Sequence, residues 1–189
     1  MANTADFKNG LYMKFNGDLF TLVSFQHVKP GKGGAFVRTK MKSLTNGRVI
    51  ENTFTAGEKI DLANIERRPH QFLYNDEEGY HFMHEQTYEQ IAIKKDLITS
   101  PDLLKEGQYV EMLFDADNET ALTCELPPFV TLEVTYTEPG VKGDTASSNS
   151  LKKATVETGA TVMIPLFIEQ GTRIKIDTRD GSYSERAKD

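Results

Sequence analysis

The chain of 189 residues is long enough for one ordinary domain or for several very small ones. Hydrophobic residues make up 38% and charged residues 26%, which is typical of a globular protein and excludes a disordered one. No apolar run approaches the ~18 residues of a membrane-spanning helix, and residues 1–10 lack the apolar segment of an export signal. A single cysteine, Cys124, excludes an internal disulfide, so we expect a reducing, cytoplasmic environment.

Charge is distributed unevenly along the chain. Residues 1–63 carry a net charge of +4, residues 64–127 of -9 and residues 128–189 of -1. No acidic residue lies between Leu19 and Ile50, whereas this segment holds Lys29, Lys32, Arg38, Lys40, Lys42 and Arg48. The asymmetry indicates that the N-terminal part meets a polyanion and that the middle part avoids it. Chance clustering on a solvated strand face explains the same charges, so charge alone leaves both interpretations open.

The first third of the chain predicts a small β-barrel of about five short strands. Apolar and polar residues alternate, and Asn16-Gly17 predicts a tight hairpin turn because a type I′ turn needs positive φ at both central positions. A Pro- and Gly-rich segment, Lys29–Ala35, interrupts this alternation. The clearest strands are predicted over 11–15, 19–28, 36–44 and 48–55.

The middle third contains two further hairpins between two predicted junctions. Arg67–Pro69 marks the first junction, and Pro127-Pro128 marks the second because adjacent prolines cannot lie inside a sheet. Ser100-Pro101 predicts the start of a short helix with Ser100 as its cap, and Gly107 would end that helix. The hairpin strands are predicted over 71–74, 80–83, 108–114 and 121–126.

The last third contains strand-like segments after a long Gly- and Ser-rich loop. This loop, from Glu138 to Lys153, is too long for a hairpin turn. Pro165 within an apolar segment predicts an edge strand or a bulge. Strands are expected over 129–136, 160–168, 173–177 and 182–184. We therefore predict an all-β protein of three small barrels, with domains 1–64, 65–127 and 128–189, the last two being OB-type barrels.

The segment Lys29–Phe36 is the most informative stretch of the sequence. Lys32 has a glycine on each side, and Pro30 restricts the entry to the loop. These residues predict a hairpin tip that presents one long cation and can enter a narrow crevice. A Walker-type phosphate loop is excluded because Gly33 stands where Ser or Thr is needed, and a dinucleotide fingerprint lacks its third glycine at Phe36. An ordinary hairpin loop remains open from these eight residues alone.

Three groups of residues resemble chemical sites but do not predict one. His81 and His84 are three residues apart, which places them on opposite faces of a strand. The segment Asp115–Leu126 lacks the glycine and glutamate of a calcium loop, so it predicts a solvated turn. Cys124 lies in an alternating strand, which favours a buried thiol over a nucleophile. We therefore expect no catalytic residue and no metal site.

Several motifs, in the same order along the chain, resemble the bacterial elongation factor P family. Lys29–Phe36 is similar to the modified-lysine loop of that family, and Pro139–Ala146 is similar to a loop of its third domain. The remaining motifs lie at 75–83, 127–130, 153–160, 162–168 and 176–183. The resemblance covers essentially the whole length in register, which makes it specific.

The resemblance implies both a fold and a function. Family members consist of a KOW-type, Src-homology-3-like barrel and two OB folds, arranged in an L shape like that of a transfer RNA. They bind the ribosome between the peptidyl and exit sites and act where consecutive prolines stall peptide-bond formation. The resemblance implies no enzyme, because such a factor positions the peptidyl-tRNA and lowers the barrier through orientation alone.

The resemblance also implies roles for individual residues. Lys32 would reach toward the peptidyl transferase centre, and in many relatives the matching lysine carries a covalent extension such as β-lysine, added by a modifying enzyme. No other cofactor is implied. Gly143, Asp144 and Thr145 would lie near the small subunit and the exit-site codon. The residues expected to contact tRNA and ribosomal RNA are Lys29, Pro30, Gly31, Lys32, Gly33, Gly34, Arg38, Lys40 and Lys42.

Three alternatives to this function are kept. A general OB-fold RNA-binding protein or RNA chaperone would make Lys32 no more important than Lys40. A paralogue of elongation factor P would show the same motifs, whereas the two-domain archaeal and eukaryotic counterpart would lack the third domain. An enzyme would need an acid–base or metal constellation, which the sequence does not offer. For the factor itself we expect a monomer whose acidic segment, 64–127, faces a basic protein of the ribosomal stalk near the exit site.

Overall fold

The structure, a computed structural model, describes residues 2–139 and 150–188. Three curled antiparallel sheets account for most of it, and three 3-10 turns of three residues each are the helical elements of these ranges. The prediction of an all-β fold is confirmed. The chain packs into two compact units, one of Met1–Arg67 with Leu113–Thr123 and one of Arg68–Met112 with Cys124–Asp189. Within the described residues, no helix is long and apolar enough to cross a membrane.

The first sheet has six strands and encloses the core of the N-terminal part. Its strands are β1 (Ala2–Asn3), β2 (Tyr12–Phe15), β3 (Asp18–Val28), β4 (Phe36–Ser43), β5 (Val49–Thr55) and β6 (Lys59–Leu62), in the order β1-β6-β2-β3-β4-β5. The buried residues of this core are Phe7, Met13, Phe20, Leu22, Val37, Met41, Phe54 and Ile60. Apolar residues of β4 alternate with cations, which gives that strand one core face and one solvent face.

A β-bulge in β3 changes which residues of that strand face solvent. Leu22 pairs with Met41, but the next paired residue, Ser24, pairs with Lys40, and the register shifts between them. Leu22 is buried, so strict alternation would also turn Ser24 toward the core. Because Val23 is an extra residue in β3, Ser24 and Gln26 lie on the solvent face of the sheet, the same face that carries the cations of β4.

The second sheet has five strands. They are β7 (Ile65–Asn75), β8 (Tyr80–His84), β9 (Gln90–Ile93), β10 (Tyr109–Asp115) and β11 (Thr120–Glu125), in the order β11-β10-β7-β8-β9. The junction predicted at Arg67–Pro69 coincides with the boundary between the two compact units at Arg67, although β7 continues through it. Pro69 donates no backbone hydrogen bond, but its carbonyl accepts one from Glu85 N at 3.1 Å.

A 3-10 turn, Pro101–Leu103, stands where the sequence predicted a helix ending at Gly107. Ser100 adopts a left-handed conformation with φ 54° and ψ 53°, and its side chain makes no cap hydrogen bond. The hydroxyl of Ser100 donates instead to the carbonyl oxygen of Thr178. A short helical turn therefore begins where the sequence predicted it, with Ser100 at the cap position, but it ends at Leu103 and not at Gly107. The capping role of the Ser100 side chain is a wrong prediction, because a bond to a residue distant in sequence replaces the local one.

The third sheet has five strands in the C-terminal part. They are β12 (Phe129–Thr137), β13 (Leu151–Val156), β14 (Thr161–Pro165), β15 (Arg173–Asp177) and β16 (Tyr183–Arg186), in the order β14-β13-β12-β15-β16. Residues 151–153, predicted as loop, begin β13. Pro165 is the last residue of the edge strand β14, which confirms the prediction of an edge position. The register of β12 shifts between Val134 and Tyr136, as it does in β3.

Candidate functional site

A loop of seven residues joins β3 to β4 and carries Lys32 at its centre. Val28 pairs with Phe36, so residues 29–35 lie beyond the last strand pair. Every residue from Lys29 to Gly34 is exposed. A loop of this length can carry its tip at most about 12 Å past that pair. The hairpin therefore presents a narrow, solvent-surrounded tip, as the sequence predicted for a lysine with a glycine on each side.

The Lys32 side chain is held by no hydrogen bond or ion pair to any residue in 2–139 or 150–188. The residue is exposed to solvent. Its ammonium group is therefore available to an external partner.

The two glycines beside Lys32 differ in conformation. Gly33 has φ +103°, which L side chains rarely adopt, and a Cβ built there would lie 4.0 Å from Pro30 Cγ. Gly31 lies outside that positive-φ range, and a Cβ there would meet nothing within 4 Å. The fold thus requires glycine at position 33 but leaves room for a side chain at position 31.

A stripe of cations follows the solvent face of β4, directly behind the loop. Arg38, Lys40 and Lys42 alternate with the buried residues Val37, Thr39, Met41 and Ser43. Residues two apart on a strand are about 6.7 Å apart, which is close to the spacing of successive phosphates in a nucleic acid strand. Lys40 lies across from Glu51 of β5, and the Arg38 guanidinium lies 5.6 Å from the centroid of the Phe36 ring. The structure therefore brings the predicted cations onto one hairpin.

A shallow groove of about 540 Å³ runs along the same face and adds residues that the sequence did not predict. Ser24 and Gln26 of β3 lie across from Lys40 and Arg38, and Thr53 lies across from Arg38 on the other side. These side chains add neutral hydrogen-bonding groups beside the cations. Strict alternation along β3 would place Ser24 in the core. Its place on the solvent face follows from the bulge at Val23, which the sequence did not predict.

The predicted small-subunit loop residues Gly143, Asp144 and Thr145 lie outside the described residues.

The two histidines of β8 lie on opposite faces of the second sheet. His81 Nε2 is 2.9 Å from Asp76 Oδ1, and its ring stacks on Tyr74 with centroids 4.5 Å apart. His84 lies against the buried His70, with ring centroids 5.0 Å apart. Burial lowers the pKa of His70, and the neighbouring His84 acts in the same direction, although a hydrogen bond to Arg68 O opposes them. Each histidine thus has a separate structural environment.

The acidic turn after β10 is held by its own hydrogen bonds and by a lysine. Asp115 is buried and accepts from Asp117 N at 3.1 Å and from Asn118 Nδ2 at 2.7 Å. Asp117 accepts from Lys14 Nζ at 2.9 Å, and this hydrogen bond lowers the pKa of Asp117. The carboxylates therefore fix the turn, and no group of three metal-binding side chains occurs among the described residues.

Cys124 is fully buried, and burial raises the pKa of its thiol to about 12. A neutral buried thiol is a poor nucleophile, so the residue acts as part of the core. This confirms the predicted burial.

Comparison with known proteins identifies the class of this molecule. The family model described as "Elongation factor P (EF-P) KOW-like domain" matches residues 3–60. "Elongation factor P (EF-P) OB domain" matches residues 65–122, and "Elongation factor P, C-terminal" matches residues 130–186. The fold and the matches define a translation factor built from a KOW-like domain and OB domains.

Individual relatives agree with the domain matches over the whole chain. The elongation factor P of Amoebophilus asiaticus is 58% identical over 188 residues, covering 100% of this chain and 98% of the relative. "Elongation factor P 1" of Porphyromonas gingivalis is 56% identical over 189 residues and fully covered on both sides. The chain belongs to the elongation factor P family, which confirms the resemblance found in the sequence.

Solved structures show a related fold. A structure described as eukaryotic translation initiation factor 5A from Methanococcus jannaschii aligns with a TM-score of 0.51 and 25% identity, covering 65% of this chain and 86% of that chain. A factor 5A family protein from Naegleria fowleri aligns with the same TM-score at 16% identity, which shows the fold alone.

Proposed function

We propose that this chain binds the ribosome between the peptidyl and exit sites and promotes peptide-bond formation when consecutive prolines stall translation. The observation that carries the proposal is the Lys32 tip: an exposed cation at the centre of a seven-residue loop, with no hydrogen bond or ion pair to the described part of its own chain. Such a tip can enter a crevice that a folded surface cannot. Membership of the elongation factor P family supports the same function.

In the proposed mechanism the protein positions the peptidyl-tRNA and does not act as an enzyme. Proline attacks slowly because its nitrogen is secondary and its ring restricts the path of approach. Lys32 would steady the terminal nucleotides of the peptidyl-tRNA, so that the reacting ends stay in an attack geometry. The factor itself would neither accept nor donate a proton.

The face of β4 would hold RNA while the tip acts. Lys29, Arg38, Lys40 and Lys42 would lie near phosphates of tRNA or ribosomal RNA, where each cation gains from the release of counterions. Pro30, Gly31, Gly33 and Gly34 would let the loop backbone approach the RNA closely. The spacing of the stripe and its groove support this assignment.

Covalent modification of Lys32 is part of the proposal. A β-lysyl group or a similar extension would add hydrogen-bond donors and reach. The exposure of Lys32 lets a modifying enzyme take the side chain into its own active site. Intact-mass measurement on protein from its native host should give a mass excess that maps to the Lys32 peptide, and an unmodified mass would discard this part.

The proposal also includes contacts at the other parts of the ribosome. Gly143, Asp144 and Thr145 would lie near the small subunit and the exit-site codon. The acidic segment 64–127 would face a basic ribosomal stalk protein, because Glu77, Glu78, Glu85 and Glu89 are all exposed. Reversing these four charges should weaken ribosome binding, and unchanged binding would discard the stalk contact. A monomer in the cytoplasm fits this function, and the single buried Cys124 fits a reducing compartment.

The decisive experiment compares Lys32→Ala with Lys40→Ala in a purified translation system. Lys32→Ala should slow peptide-bond formation between consecutive prolines by about a hundredfold at saturating factor, because orientation is lost. Ribosome binding should survive in part.

Lys40→Ala is the matched control, since it removes one phosphate contact away from the tip. It should reduce the salt dependence of ribosome binding by about one unit of slope and leave the saturated rate nearly unchanged. Equal effects of the two substitutions would favour a general RNA-binding protein or chaperone. Normal stall relief by Lys32→Ala would exclude the proposed function.

A further inference from the structure

The outer face of β12, β13 and β14 carries an exposed tyrosine that a β-bulge has turned out of the core. Val134 is fully buried and pairs with Val156, while Tyr136 pairs with Thr155 after the register shift. Strict alternation would place Tyr136 on the same inner face as Val134. The bulge instead leaves Tyr136 59% exposed. Bulges that redirect a side chain are frequent at functional sites.

A groove of about 470 Å³ lies beside this tyrosine. Tyr136, Leu151 and Lys153 line it, and Leu151 is 53% exposed. Lys153 lies across from the exposed Met163 on the same outer face. An aromatic ring, aliphatic side chains and a lysine therefore share one surface. This combination suits the flat face of a nucleobase with a phosphate beside it.

The charge of the groove favours RNA over an acidic or neutral protein partner. Lys152 and Lys153 are its cations, and Lys152 Nζ donates to the backbone carbonyl of Glu138 at 2.9 Å. Glu138 also lines the groove, so two lysines and one carboxylate leave a local charge of +1, although the whole chain carries -6. The groove also lies on the first three strands of an OB domain, and the face around its second and third strands is where OB folds bind oligonucleotides.

We propose that this surface, formed by Tyr136, Leu151, Lys153 and Met163, binds single-stranded RNA by stacking one unpaired base on Tyr136. Lys153 contacts the adjoining phosphate. The inference deepens the proposed function, because it adds an RNA contact in the C-terminal part that is separate from the Lys32 hairpin. No base-specific hydrogen bond is part of the proposal, so the surface tolerates different sequences.

Binding of a short RNA to the full-length chain tests this directly. The probe is an RNA of about six nucleotides, compared with an abasic RNA of equal length and charge. The chain contains no tryptophan, so tyrosine emission is observable, and stacking on Tyr136 should quench part of it. Tyr136→Ala should weaken binding about tenfold, whereas Tyr136→Phe should retain it but lose the quenching.

Two controls separate stacking from general electrostatic attraction. Tyr109→Ala removes a tyrosine of similar exposure, 54%, on β10 and should leave binding unchanged. Lys153→Ala should reduce the salt slope by about 0.7, the value for one phosphate contact on a single strand. The abasic RNA should bind wild type no more tightly than intact RNA binds Tyr136→Ala.

The proposal is overturned if Tyr136→Ala binds the RNA as wild type does, or if the intact RNA shows no binding at millimolar concentration. Weaker ribosome association of Tyr136→Ala without any RNA binding by wild type would assign the groove to a protein partner instead. The assay needs neither the ribosome nor Lys32. Its failure is therefore distinguishable from failure of the proposed stall relief.

Discussion

Gly31 and Gly33 flank Lys32, yet the structure gives them different reasons to be glycine. Gly33 needs its positive φ, whereas Gly31 has an ordinary conformation and open space around its Cα. The absence of a side chain at position 31 is therefore not a requirement of the folded chain. A surface that approaches the loop closely would explain it.

We expect Gly31→Ala to leave the free energy of unfolding within about 0.5 kcal/mol of wild type while slowing relief of proline stalls. Gly33→Ala should instead lower it by about 1 kcal/mol, because alanine is strained at that φ. Thermal unfolding together with the peptide-bond assay checks both. A fully active Gly31→Ala chain would show that no partner approaches the loop there.

The buried thiol of Cys124 makes part of the protein's stability depend on pH. Burial raises the pKa of its thiol from 9.0 to about 12, so the unfolded chain loses this proton first. The corresponding contribution to stability is full below pH 9 and is lost as the pH rises toward 12. At pH 8, a disulfide reagent should label Cys124 about a thousandfold more slowly in the native chain than in guanidinium. Equal labelling rates would contradict the burial.

Among the elements, the β3–β4 hairpin is pinned at the end opposite the Lys32 loop by Asp18. The carboxylate of Asp18 accepts from Ser43 Oγ and Leu19 N, each at 2.8 Å, and from Thr45 Oγ1. Burial alone would raise the pKa of Asp18, but these hydrogen bonds outweigh it and lower the pKa. The hydrogen bonds of Asp18 therefore hold the two strands together at the end of the hairpin that lies away from the Lys32 loop.

Asp18→Ala should lower the free energy of unfolding by about 2 kcal/mol, because Ser43 is buried and loses its acceptor. Asp61→Ala, an exposed change on β6, is the control and should cost little. Because the pKa is lowered in the native chain, the wild type should lose this stabilisation as the pH falls through 3.8 and below, and Asp18→Ala should not. Denaturant unfolding at several pH values measures both effects.

Alternation and turn residues predicted most strands, but bulges limited what the sequence could show. Asn16-Gly17 and the Gly-rich Lys32 loop are local signals, and both appear where predicted. The register shifts after Leu22, Phe72 and Val134 are not local, because each depends on the partner strand. As a result the position of Ser24 in the candidate site, and the outward direction of Tyr136, followed only from the structure.

At the scale of the whole molecule, the second unit joins residues 68–112 to residues 124–188 through a few polar contacts. Ser100 Oγ donates to Thr178 O, and Thr99 N donates to Cys124 O at 2.9 Å. Lys105 Nζ lies 2.8 Å from Glu157 Oε2. Burial would raise the pKa of Glu157, yet hydrogen bonds from Lys105 and from Glu133 N lower it. Sequence patterns placed a helix cap at Ser100 because they cannot show bonds between distant residues.

We expect residues 68–112 and 124–188 to unfold in one transition. Ser100→Ala should lower the free energy of that unfolding by about 1 kcal/mol and move the midpoint to lower denaturant. Ser100→Gly loses the same bond but relieves the left-handed conformation, so it should cost less. Hydrogen exchange that reports both segments provides the measurement. If the segments exchange independently in wild type, these contacts do not couple them.

An exposed, seven-residue loop is also a site where proteases can cut. Lys29 is followed by Pro30, a bond that trypsin does not cleave, so Lys32–Gly33 is the single susceptible bond of the loop. Acylation of the Lys32 amine would remove the free side chain that trypsin recognises. Brief digestion of the native protein should therefore give the fragments of cleavage at Lys32–Gly33 from unmodified chains but not from modified ones. The yield of those fragments would report what share of a cell's pool is unmodified.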